Sequence, residues 1–336
     1  MTKKKLISLL ILLSLNLSFT CFASCVAKQD KVEYEIKQDS VWIETSNGKI
    51  FGLLFSPVGI NIDKIPAILC LQGGGDVGLT NYLYEAKFFA KNGIVALVCD
   101  KSGAGLSKTK KSWTQQSFED KTNEYMELFT WLSNYHGINK EKVGVHGMSE
   151  GGRLALNMAI EHPEKIAFVN SVSGPIASYK ENQLYAIYNH LRLQNFDQSI
   201  IAQALYVWNM YFNDIAKKKI SEETLSRIHE LTENAPNLRY RPNNSTELPS
   251  RPLPQDIHFT LEGIIEKIIC PVLIQYGELD ALVDPIKSLS LIPEKSNFEI
   301  KNYVDTDHSM NLKNGDIQPL FLDDKLLWIQ NLLNKE

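Results

Sequence analysis

Cysteine is scarce in this sequence. Only five are present in 336 residues, and three of them, Cys70, Cys99 and Cys270, lie beyond the N-terminal segment. Each of the three lies in or beside a short apolar run, without a C-x-x-C spacing or a cluster of histidines. An odd number of cysteines cannot pair completely, and zinc sites need clustered ligands. We therefore expect buried free thiols rather than a disulfide framework or a metal site.

Other absences narrow the class of protein further. The net charge of −4 provides no basic surface for nucleic acid, so no nucleic-acid partner is expected. Tandem repeats and low-complexity tracts are absent. No apolar run reaches the roughly 20 residues that a membrane-spanning helix requires. These absences favour a globular protein with no stable membrane insertion after processing.

The first residues have the pattern of a secretory signal. Three lysines at positions 3–5 precede an apolar run over residues 6–19, and small residues follow at Ala23, Ser24 and Ala27. These are the basic, apolar and cleavage regions of a signal peptide, which we place at residues 1–27. The sequence Phe-Ala-Ser-Cys before position 26 also resembles a bacterial lipobox, so a lipid anchor at Cys25 is an alternative. Both alternatives predict a protein exported to the periplasm, the envelope or the medium of a bacterium.

Two kinds of strand pattern predict the fold class. Apolar runs at residues 41–45 and 50–55 flank Ser-Asn-Gly-Lys, and Asn-Gly between such runs is typical of a β-hairpin. Short, continuous apolar strands then alternate with helical patterns, as in a parallel sheet covered on both faces. The predicted class is α/β: a mostly parallel, doubly wound sheet with antiparallel N-terminal strands. The later strands are expected at residues 67–71, 94–99, 142–146, 166–172, 271–276 and 298–304, and the helices between and after them at residues 82–92, 117–135, about 150–162 and 321–333.

This alternation stops over residues 175–267. The segment contains three helical patterns, at residues 179–194, 196–216 and 221–232, followed by a stretch rich in proline and asparagine. Because the α/β pattern resumes at once afterwards, we interpret the segment as an inserted helical cap. The predicted core is then residues 28–174 together with 268–336. The cap's aromatic residues at helical spacing are assigned to packing, and none to substrate binding.

A candidate nucleophile lies where a strand gives way to a helix. Residues 147–151 read Gly-Met-Ser-Glu-Gly, preceded by a β-prone run and followed by a helical pattern. Strand, sharp turn and helix is the context of the Gly-x-Ser-x-Gly nucleophile elbow. The pattern alone is weak, so the argument depends on what could activate Ser149.

A serine hydroxyl needs a base to take its proton and a group to orient that base. In open α/β sheets, such groups follow the carboxyl ends of strands. Asp280 comes directly after the strand that ends at Tyr276, and His308 follows the last strand. The chain order Ser149, Asp280, His308 is the order of the α/β-hydrolase triad.

Other residues compete for these roles less well. Asp284, followed by proline, has the pattern of a helix N-cap, and Asp305 and Asp307 could shape the loop around His308. His146 lies within the elbow strand, where we expect it to be packed. Asp280 is the acid at the strand end that the architecture requires.

Backbone amides are needed to hold the oxyanion of the tetrahedral intermediate. One candidate is the amide of Glu150, and the second is that of Gly74, in the Gln-Gly-Gly-Gly-Asp loop after the strand at residues 67–71. A phosphate-binding loop is the competing interpretation, but its Gly-x-x-x-x-Gly-Lys-Ser/Thr spacing is absent. A second glycine-rich turn, at residues 100–107, is expected to brace the site.

Together these motifs resemble the α/β-hydrolase superfamily over nearly the whole mature chain. Within it the sequence is most similar to the dienelactone-hydrolase and prolyl-oligopeptidase-like serine esterases, many of them secreted. Two positions depart from the family pattern: Gln72 replaces histidine before the glycine loop, and Ser102 replaces arginine in the Asp-x-Arg-Gly-x-Gly-x-Ser turn.

The resemblance and the residues both predict hydrolysis of a carboxylic ester by Ser149, His308 and Asp280, without a metal or organic cofactor. The expected partner is a small ester or acyl compound. The alternatives are a prolyl-oligopeptidase-like peptidase, a thioesterase, and a catalytically silent hydrolase fold that binds a ligand. The cap, which would set specificity, does not reveal the substrate.

Overall fold

A single mixed β-sheet forms the centre of the protein. The computed structural model describes residues 33–60 and 64–334, and within them nine strands form this sheet. The strands are β1 (Ile36–Thr45), β2 (Gly48–Pro57), β3 (Ile65–Leu71), β4 (Val95–Cys99), β5 (Lys108–Thr109), β6 (Ile138–Met148), β7 (Val169–Val172), β8 (Val272–Gly277) and β9 (Phe298–Tyr303).

The order of the strands confirms the predicted fold class. It is β1-β2-β4-β3-β6-β7-β8-β9, with β5 paired to β2. The pairs that involve β2 are antiparallel, and the pairs from β4 to β9 are parallel. The carboxyl ends of the parallel strands therefore meet at one edge of the sheet, where the predicted site residues follow them.

The N-terminal hairpin forms as the sequence predicts. Thr45 pairs with Gly48, so that Ser46 and Asn47 form a two-residue turn between β1 and β2. The strands are longer than expected because the pairing continues to Ile36 and Pro57.

Helices cover both faces of the sheet, as expected for a doubly wound fold. Apolar residues of α2 and α3 pack on one face, and those of α1 and α8 pack on the other. The helices are α1 (Leu83–Lys91), α2 (Phe118–Ser133), α3 (Glu150–Glu161), α4 (Tyr179–Leu193), α5 (Gln198–Ala216), α6 (Glu222–Asn234), α7 (Pro285–Ser290) and α8 (Pro319–Leu333).

The segment between β7 and β8 contains three of these helices, α4, α5 and α6. They enclose an apolar cluster of their own, which includes Ile187, Val207 and Leu231. Backbone hydrogen bonds tie the segment to the residues on its flanks, from Tyr179 to Phe259 and from Leu261 to Ile176. The helices and the sheet belong to one compact unit that begins at Glu33.

Among the parallel strands, β6 and β7 begin three or more residues from their predicted starts. β6 begins at Ile138 rather than Lys142, because Ile138 pairs with Ile65 ahead of an irregularity in the ladder. β7 begins at Val169 rather than at residue 166, since its ladders with both neighbours start there.

His146 is buried in the sheet, as the sequence analysis expects. Its Nδ1 lies 2.7 Å from Oδ1 of Asn170 on β7, and its Nε2 lies 3.5 Å from a carboxylate oxygen of Glu85 on α1. Glu85 is also paired with Lys325 of α8, at 2.5 Å. Burial, with Lys325 nearby and against the pull of Glu85, lowers the pKa of His146 to about 4. His146 is therefore a neutral, structural histidine at neutral pH.

Three further expectations concern cysteines and the membrane. Cys70, Cys99 and Cys270 are free and buried, which confirms their prediction as buried thiols. In the part of the chain that the structure describes, no helix has both the length and the apolarity to cross a membrane. The predicted signal peptide at residues 1–27, including Cys25, lies outside the described residues.

Candidate active site

Ser149 lies in the sharp turn between β6 and α3. Its backbone has φ 56° and ψ −119°, a conformation that is costly for a residue with a side chain, by about 1–3 kcal/mol. The amide of Ser149 donates a hydrogen bond of 2.8 Å to the carbonyl of Val172 at the end of β7. Although Ser149 precedes α3, its side chain makes no capping hydrogen bond. The hydroxyl is therefore not committed to holding the helix.

Close backbone contacts explain the glycines on either side of this turn. A Cβ atom on Gly147 would lie 2.1 Å from the carbonyl oxygen of Gly151, and one on Gly151 would lie 2.4 Å from that of Leu71. Both distances are far below van der Waals contact, so no side chain fits. The Gly-x-Ser-x-Gly pattern here reflects tight packing of the turn against β3 and α3.

Asp280 and His308 are hydrogen-bonded to each other. Oδ2 of Asp280 lies 2.8 Å from Nδ1 of His308. The other oxygen, Oδ1, accepts hydrogen bonds of 2.8 Å from the amides of Leu282 and Val283. The carboxylate is fully buried, whereas the imidazole is 16% exposed. This arrangement fixes the carboxylate and leaves Nε2 as the ring nitrogen that can exchange a proton with another group.

The end of β7 links the loops that carry Ser149 and His308. The hydroxyl of Ser173 donates to the carbonyl of His308 at 3.0 Å, next to Val172, which accepts the amide of Ser149. Asp307 stabilises the His308 loop from within, since its side chain accepts hydrogen bonds from two following backbone amides. Both loops are thus anchored to adjacent residues of one strand end.

The competing acids have other partners. Asp284 accepts the amide of Lys287 and caps α7, as its sequence predicts. Asp305 forms an exposed ion pair of 2.9 Å with Lys313. Among the four acidic residues considered in the sequence analysis, Asp280 is the one that is bonded to His308.

The glycine loop after β3 lies against the serine turn. A Cβ atom on Gly73 would be 3.4 Å from Cβ of Ser149, and the amide of Gly73 already donates to the hydroxyl of Tyr82. Gly74 is exposed and lines a cavity together with Ser149 and Glu150. The two amides predicted for the oxyanion thus flank the same cavity as the serine.

A buried lysine holds this glycine loop. Lys101, which follows β4, donates from Nζ to the carbonyl of Gly73 and, at 2.8 Å, to the carbonyl of Gly75. Its side chain is fully buried, and burial lowers its pKa to about 8. Since each bond fixes one carbonyl, Lys101 sets the path of the loop around Gly74.

The carboxylate of Glu150 is neutralised by two cations. Lys121 lies 2.7 Å from it and Lys101 lies 3.9 Å away, while the indole of Trp113 donates to it at 3.2 Å. Both ammonium groups also lie over the Trp113 ring, at 4.5 and 4.7 Å from its centroid. Burial raises the pKa of Glu150, but the lysines outweigh that effect and hold it below its usual value. Glu150 is therefore ionised and fully engaged.

The cavity beside Ser149 has a volume of about 210 Å³. Its walls come from the serine turn, the start of α2, the start of α4 and the loop before β8. A larger surface cleft of about 640 Å³ is lined by Glu44, Trp131 and neighbours, and contains none of the predicted site residues. We therefore identify the smaller cavity as the candidate substrate site. Within residues 33–60 and 64–334, no group of three or more potential metal ligands is found.

A match to a protein-family model identifies the family of this chain. A family model described as serine aminopeptidase, S33, matches residues 64–311, well over half of the chain. The chain belongs to the serine aminopeptidase S33 family. The match begins at the start of β3 and includes Ser149, Asp280 and His308.

Curated relatives match a shorter part of this S33-family chain. Dipeptidyl peptidase 8 from Mus musculus and from Homo sapiens is each 29% identical to it over 143 residues. These matches cover 39% of this chain and 16% of each relative. The matched part therefore spans less than a fifth of the curated relatives' length.

Solved structures match nearly the whole chain. The α/β hydrolase GrgF from Penicillium sp. sh18 covers 89% of this chain and 100% of its own, with a TM-score of 0.59 and 17% identity. A proline iminopeptidase from Mycobacterium smegmatis covers 88% and 98%, with a TM-score of 0.56 and 16% identity. A thermophilic esterase from Thermogutta terrifontis covers 88% and 99%, with a TM-score of 0.53 and 14% identity. At these identities the likeness shows the α/β-hydrolase fold, and together with the family match it agrees with the predicted superfamily.

Both residues that depart from the superfamily pattern form buried hydrogen bonds. Gln72 donates to the carbonyl of Cys99, so it still links β3 to β4. Ser102 donates to the buried carboxylate of Glu124, which also accepts from Asn47 at 3.0 Å. At the position where the resembled family has arginine, this chain thus has a neutral donor, Ser102, bonded to Glu124.

Some contacts of the site were missed by the sequence analysis. Tyr185 of α4 donates to the carbonyl of Asp280 at 2.8 Å, which ties α4 to the loop that carries Asp280. Lys101 and Lys121 were not considered either. One feature of the sequence points to Lys101: like Asp280, it follows a strand directly, in the glycine-rich turn at residues 100–107.

Proposed function

We propose that this protein is an exported serine hydrolase that cleaves a carboxylic ester through an acyl-enzyme. One observation carries the proposal: the hydrogen bond between Asp280 and His308 at the sheet edge where Ser149 is held in its strained turn. A base oriented by a buried carboxylate is what a serine hydroxyl needs in order to act as a nucleophile.

In the proposed reaction, Oγ of Ser149 attacks the ester carbonyl while Nε2 of His308 takes its proton. Asp280 keeps the proton of His308 on Nδ1 and stabilises the imidazolium that forms. The amides of Gly74 and Glu150 donate to the oxyanion, and His308 then protonates the leaving alcohol. A water molecule, activated by His308, attacks the acyl-enzyme and releases the acid and Ser149.

A peptidase is the second candidate, favoured by the name of the family and of the curated relatives. An enzyme that removes residues from a free N-terminus has to hold an ammonium group near its serine. The cavity has two carboxylates: that of Glu150, which Lys121 and Lys101 already neutralise, and that of Asp256, whose pKa burial raises. We infer that the cavity disfavours the free amine of a peptide N-terminus. This supports an ester as the substrate rather than a peptide.

Comparing two substrate types tests this proposal. We expect the protein to hydrolyse p-nitrophenyl acetate faster than alanine or proline p-nitroanilide. The Ser149→Ala variant should lose about 10⁴-fold or more in kcat, because the hydroxyl forms the covalent intermediate. Ser290→Ala serves as the matched control, because Ser290 is an exposed serine of α7 that does not line the cavity. Equal ester hydrolysis by the wild type and Ser149→Ala would rule out the proposal, and faster p-nitroanilide cleavage would favour the peptidase.

Export is proposed from the N-terminal sequence. The basic and apolar segments at residues 3–5 and 6–19 support it. Expression of the full chain in a bacterium, followed by mass spectrometry of the mature N-terminus, tests it. A chain that begins at Lys28 indicates ordinary cleavage, a lipidated Cys25 indicates an anchored lipoprotein, and an intact Met1 on cytoplasmic protein contradicts export.

A further inference from the structure

The cavity beside Ser149 has an excess of positive charge. Three cations line it, Lys121, Arg153 and Arg251, and two carboxylates do so, Glu150 and Asp256. Lys101 adds a fourth cation directly behind Glu150. The whole chain is acidic, with a net charge of −4, so this excess is local. Charges of one sign inside a cleft focus the potential there and favour ligands of the opposite sign.

Most of these groups are already engaged with one another or with the backbone. Lys121 is paired with Glu150. Arg153 is buried, and its guanidinium donates to the carbonyls of Pro175, at 2.7 Å, and Ala177. Those carbonyls satisfy its hydrogen bonds without cancelling its charge. The carboxylate of Asp256 accepts the amide of Phe118 at 3.1 Å, and burial raises its pKa.

Arg251 differs from the other cations of the cavity. It is exposed, and among the described residues its guanidinium has neither a hydrogen bond nor an ion pair. Its charge acts on groups around the cavity: burial lowers the pKa of Lys101 and Arg251 adds to that effect, while burial raises the pKa of Tyr179 and Arg251 partly offsets it. A guanidinium has five donors in a planar fork that matches a carboxylate. Arg251 is therefore the cation of the cavity that remains available to a ligand.

We propose that this cavity binds a carboxylate, so that the substrate is a small ester bearing a free carboxylate and Arg251 determines this specificity. The inference rests on the proposed ester hydrolysis and names its substrate class. The volume of about 210 Å³ is below the roughly 300–1,000 Å³ of sites for drug-sized ligands, which suits a compact anionic group. Arg153, whose guanidinium is bonded to backbone carbonyls, adds positive charge to the same cavity.

Matched ester pairs test the substrate class. In the first pair, 4-acetoxybenzoate carries the carboxylate on the leaving group, and methyl 4-acetoxybenzoate is its neutral analogue. In the second pair, mono-4-nitrophenyl adipate carries it on the acyl group, with the methyl ester as the neutral analogue. We expect kcat/KM of the wild type to favour the anionic member of at least one pair by about tenfold or more, the effect of one charged hydrogen bond.

Arg251→Gln should reduce this preference to less than about threefold by lowering kcat/KM for the anionic ester alone, because it removes the unpaired charge. Arg239→Gln is the matched control, since Arg239 is an exposed arginine of the same segment outside the cavity. An equal preference in Arg251→Gln and the wild type, or hydrolysis of both members of each pair at equal rates by the wild type, overturns the proposal.

A binding measurement separates this proposal from the proposed function. Calorimetry with the Ser149→Ala variant measures the affinity for intact 4-acetoxybenzoate and mono-4-nitrophenyl adipate without turnover. Binding of either ester that weakens about tenfold on adding Arg251→Gln supports the carboxylate site even if the wild type hydrolyses no ester. Serine-dependent hydrolysis of neutral and anionic esters at equal rates overturns the carboxylate site and leaves the ester hydrolase intact.

Discussion

Both carboxylate oxygens of Asp280 are held by neighbouring groups. One oxygen accepts two backbone amides, and the other faces His308. The carboxylate is completely buried, so its orientation cannot be relaxed by solvent. This is why the residue after the turn of β8 could act as the orienting acid, while Asp284, four residues later, caps a helix instead.

The first prediction concerns Asp280→Asn. The amide oxygen can still accept the amides of Leu282 and Val283, but its NH2 group would face Nδ1 of His308 and donate a proton. The imidazole must then carry its hydrogen on Nε2, where it cannot take the proton of Ser149. We expect kcat for p-nitrophenyl acetate to fall by about 10⁴-fold, with the thermal unfolding temperature nearly unchanged.

Asp284→Asn is the control for that prediction, because it makes the same chemical change on the same loop. Asparagine is also a good N-cap, so kcat should change by less than about twofold. Comparable losses in the two variants would show that Asp280 is not the orienting acid.

At the scale of elements, the site is a set of loops held by side chains from neighbouring strands. Lys101, after β4, bonds the carbonyls of the loop after β3. Tyr185, on α4, bonds the loop after β8. Each loop that carries a proposed functional group is thus fixed by a residue from a different element, which is how a flexible glycine-rich segment can present a defined amide.

The second prediction concerns Lys101→Met. Methionine fills a similar volume but leaves the carbonyls of Gly73 and Gly75 without a donor, so the amide of Gly74 loses its position. We expect kcat to fall by about 10–100-fold, somewhat less than the direct loss of an oxyanion donor, while KM changes by less than about threefold.

A purely structural role for Lys101 would produce a different result. Loss of folded protein would lower the active fraction and the unfolding temperature, and would leave the ratio of kcat to KM for the folded remainder unchanged. Active-site titration corrects for the active fraction, and Lys108→Met, on the exposed strand β5, is the matched control. An unchanged kcat per active site would show that Lys101 does not position the loop.

The sequence predicted the elements better than the contacts between them. The triad candidates could be found because the fold places such residues after strands: Asp280 and His308 are selected by their positions after strand ends, and their chain order agrees. Lys101 could not be found in that way, since lysines are ordinarily exposed and its partners lie 26 to 28 residues away in the chain. Arg251 could not be found from the sequence either. Its segment is rich in proline and asparagine and has no periodic pattern from which its place beside the cavity could be predicted.

At the scale of the whole molecule, a buried polar network crosses the sheet. His146 bonds Asn170, whose amide donates to Gln275 at 2.8 Å, and Gln275 donates to the hydroxyl of Tyr303 at 2.8 Å. The network thus joins β6, β7, β8 and β9, and the proposed triad residues follow three of these strands, β6, β8 and β9. The histidine of this network, His146, is held neutral by burial, which lowers its pKa to about 4.

The third prediction follows from that lowered pKa. His146 has a pKa of about 4 in the folded protein, below its usual 6.5, so the unfolded chain binds more protons between these values. The free energy of unfolding should therefore rise as the pH rises from about 4 to about 6.5, by up to about 3 kcal/mol from this residue. Above about pH 6.5 the contribution is constant.

Urea unfolding at a series of pH values measures this slope. His146→Gln removes the titrating group, so we expect a lower stability at pH 7 and a flatter dependence between pH 4 and 6.5. His258→Gln, which changes an exposed histidine, should leave the slope as it is in the wild type. If the slope is the same in His146→Gln, another group is responsible for it.

The central claim is that His308 activates Ser149 as the nucleophile, and covalent labelling tests it most directly. A fluorophosphonate probe reacts with activated serines, and mass spectrometry of the digested protein identifies the modified residue. The account predicts a single adduct on Ser149, absent in Ser149→Ala and formed at least about 100-fold more slowly in His308→Gln, since general-base help is worth about 10²–10⁴-fold. No adduct on the folded wild-type protein, or an adduct on Ser149 that forms equally fast without His308, would contradict it.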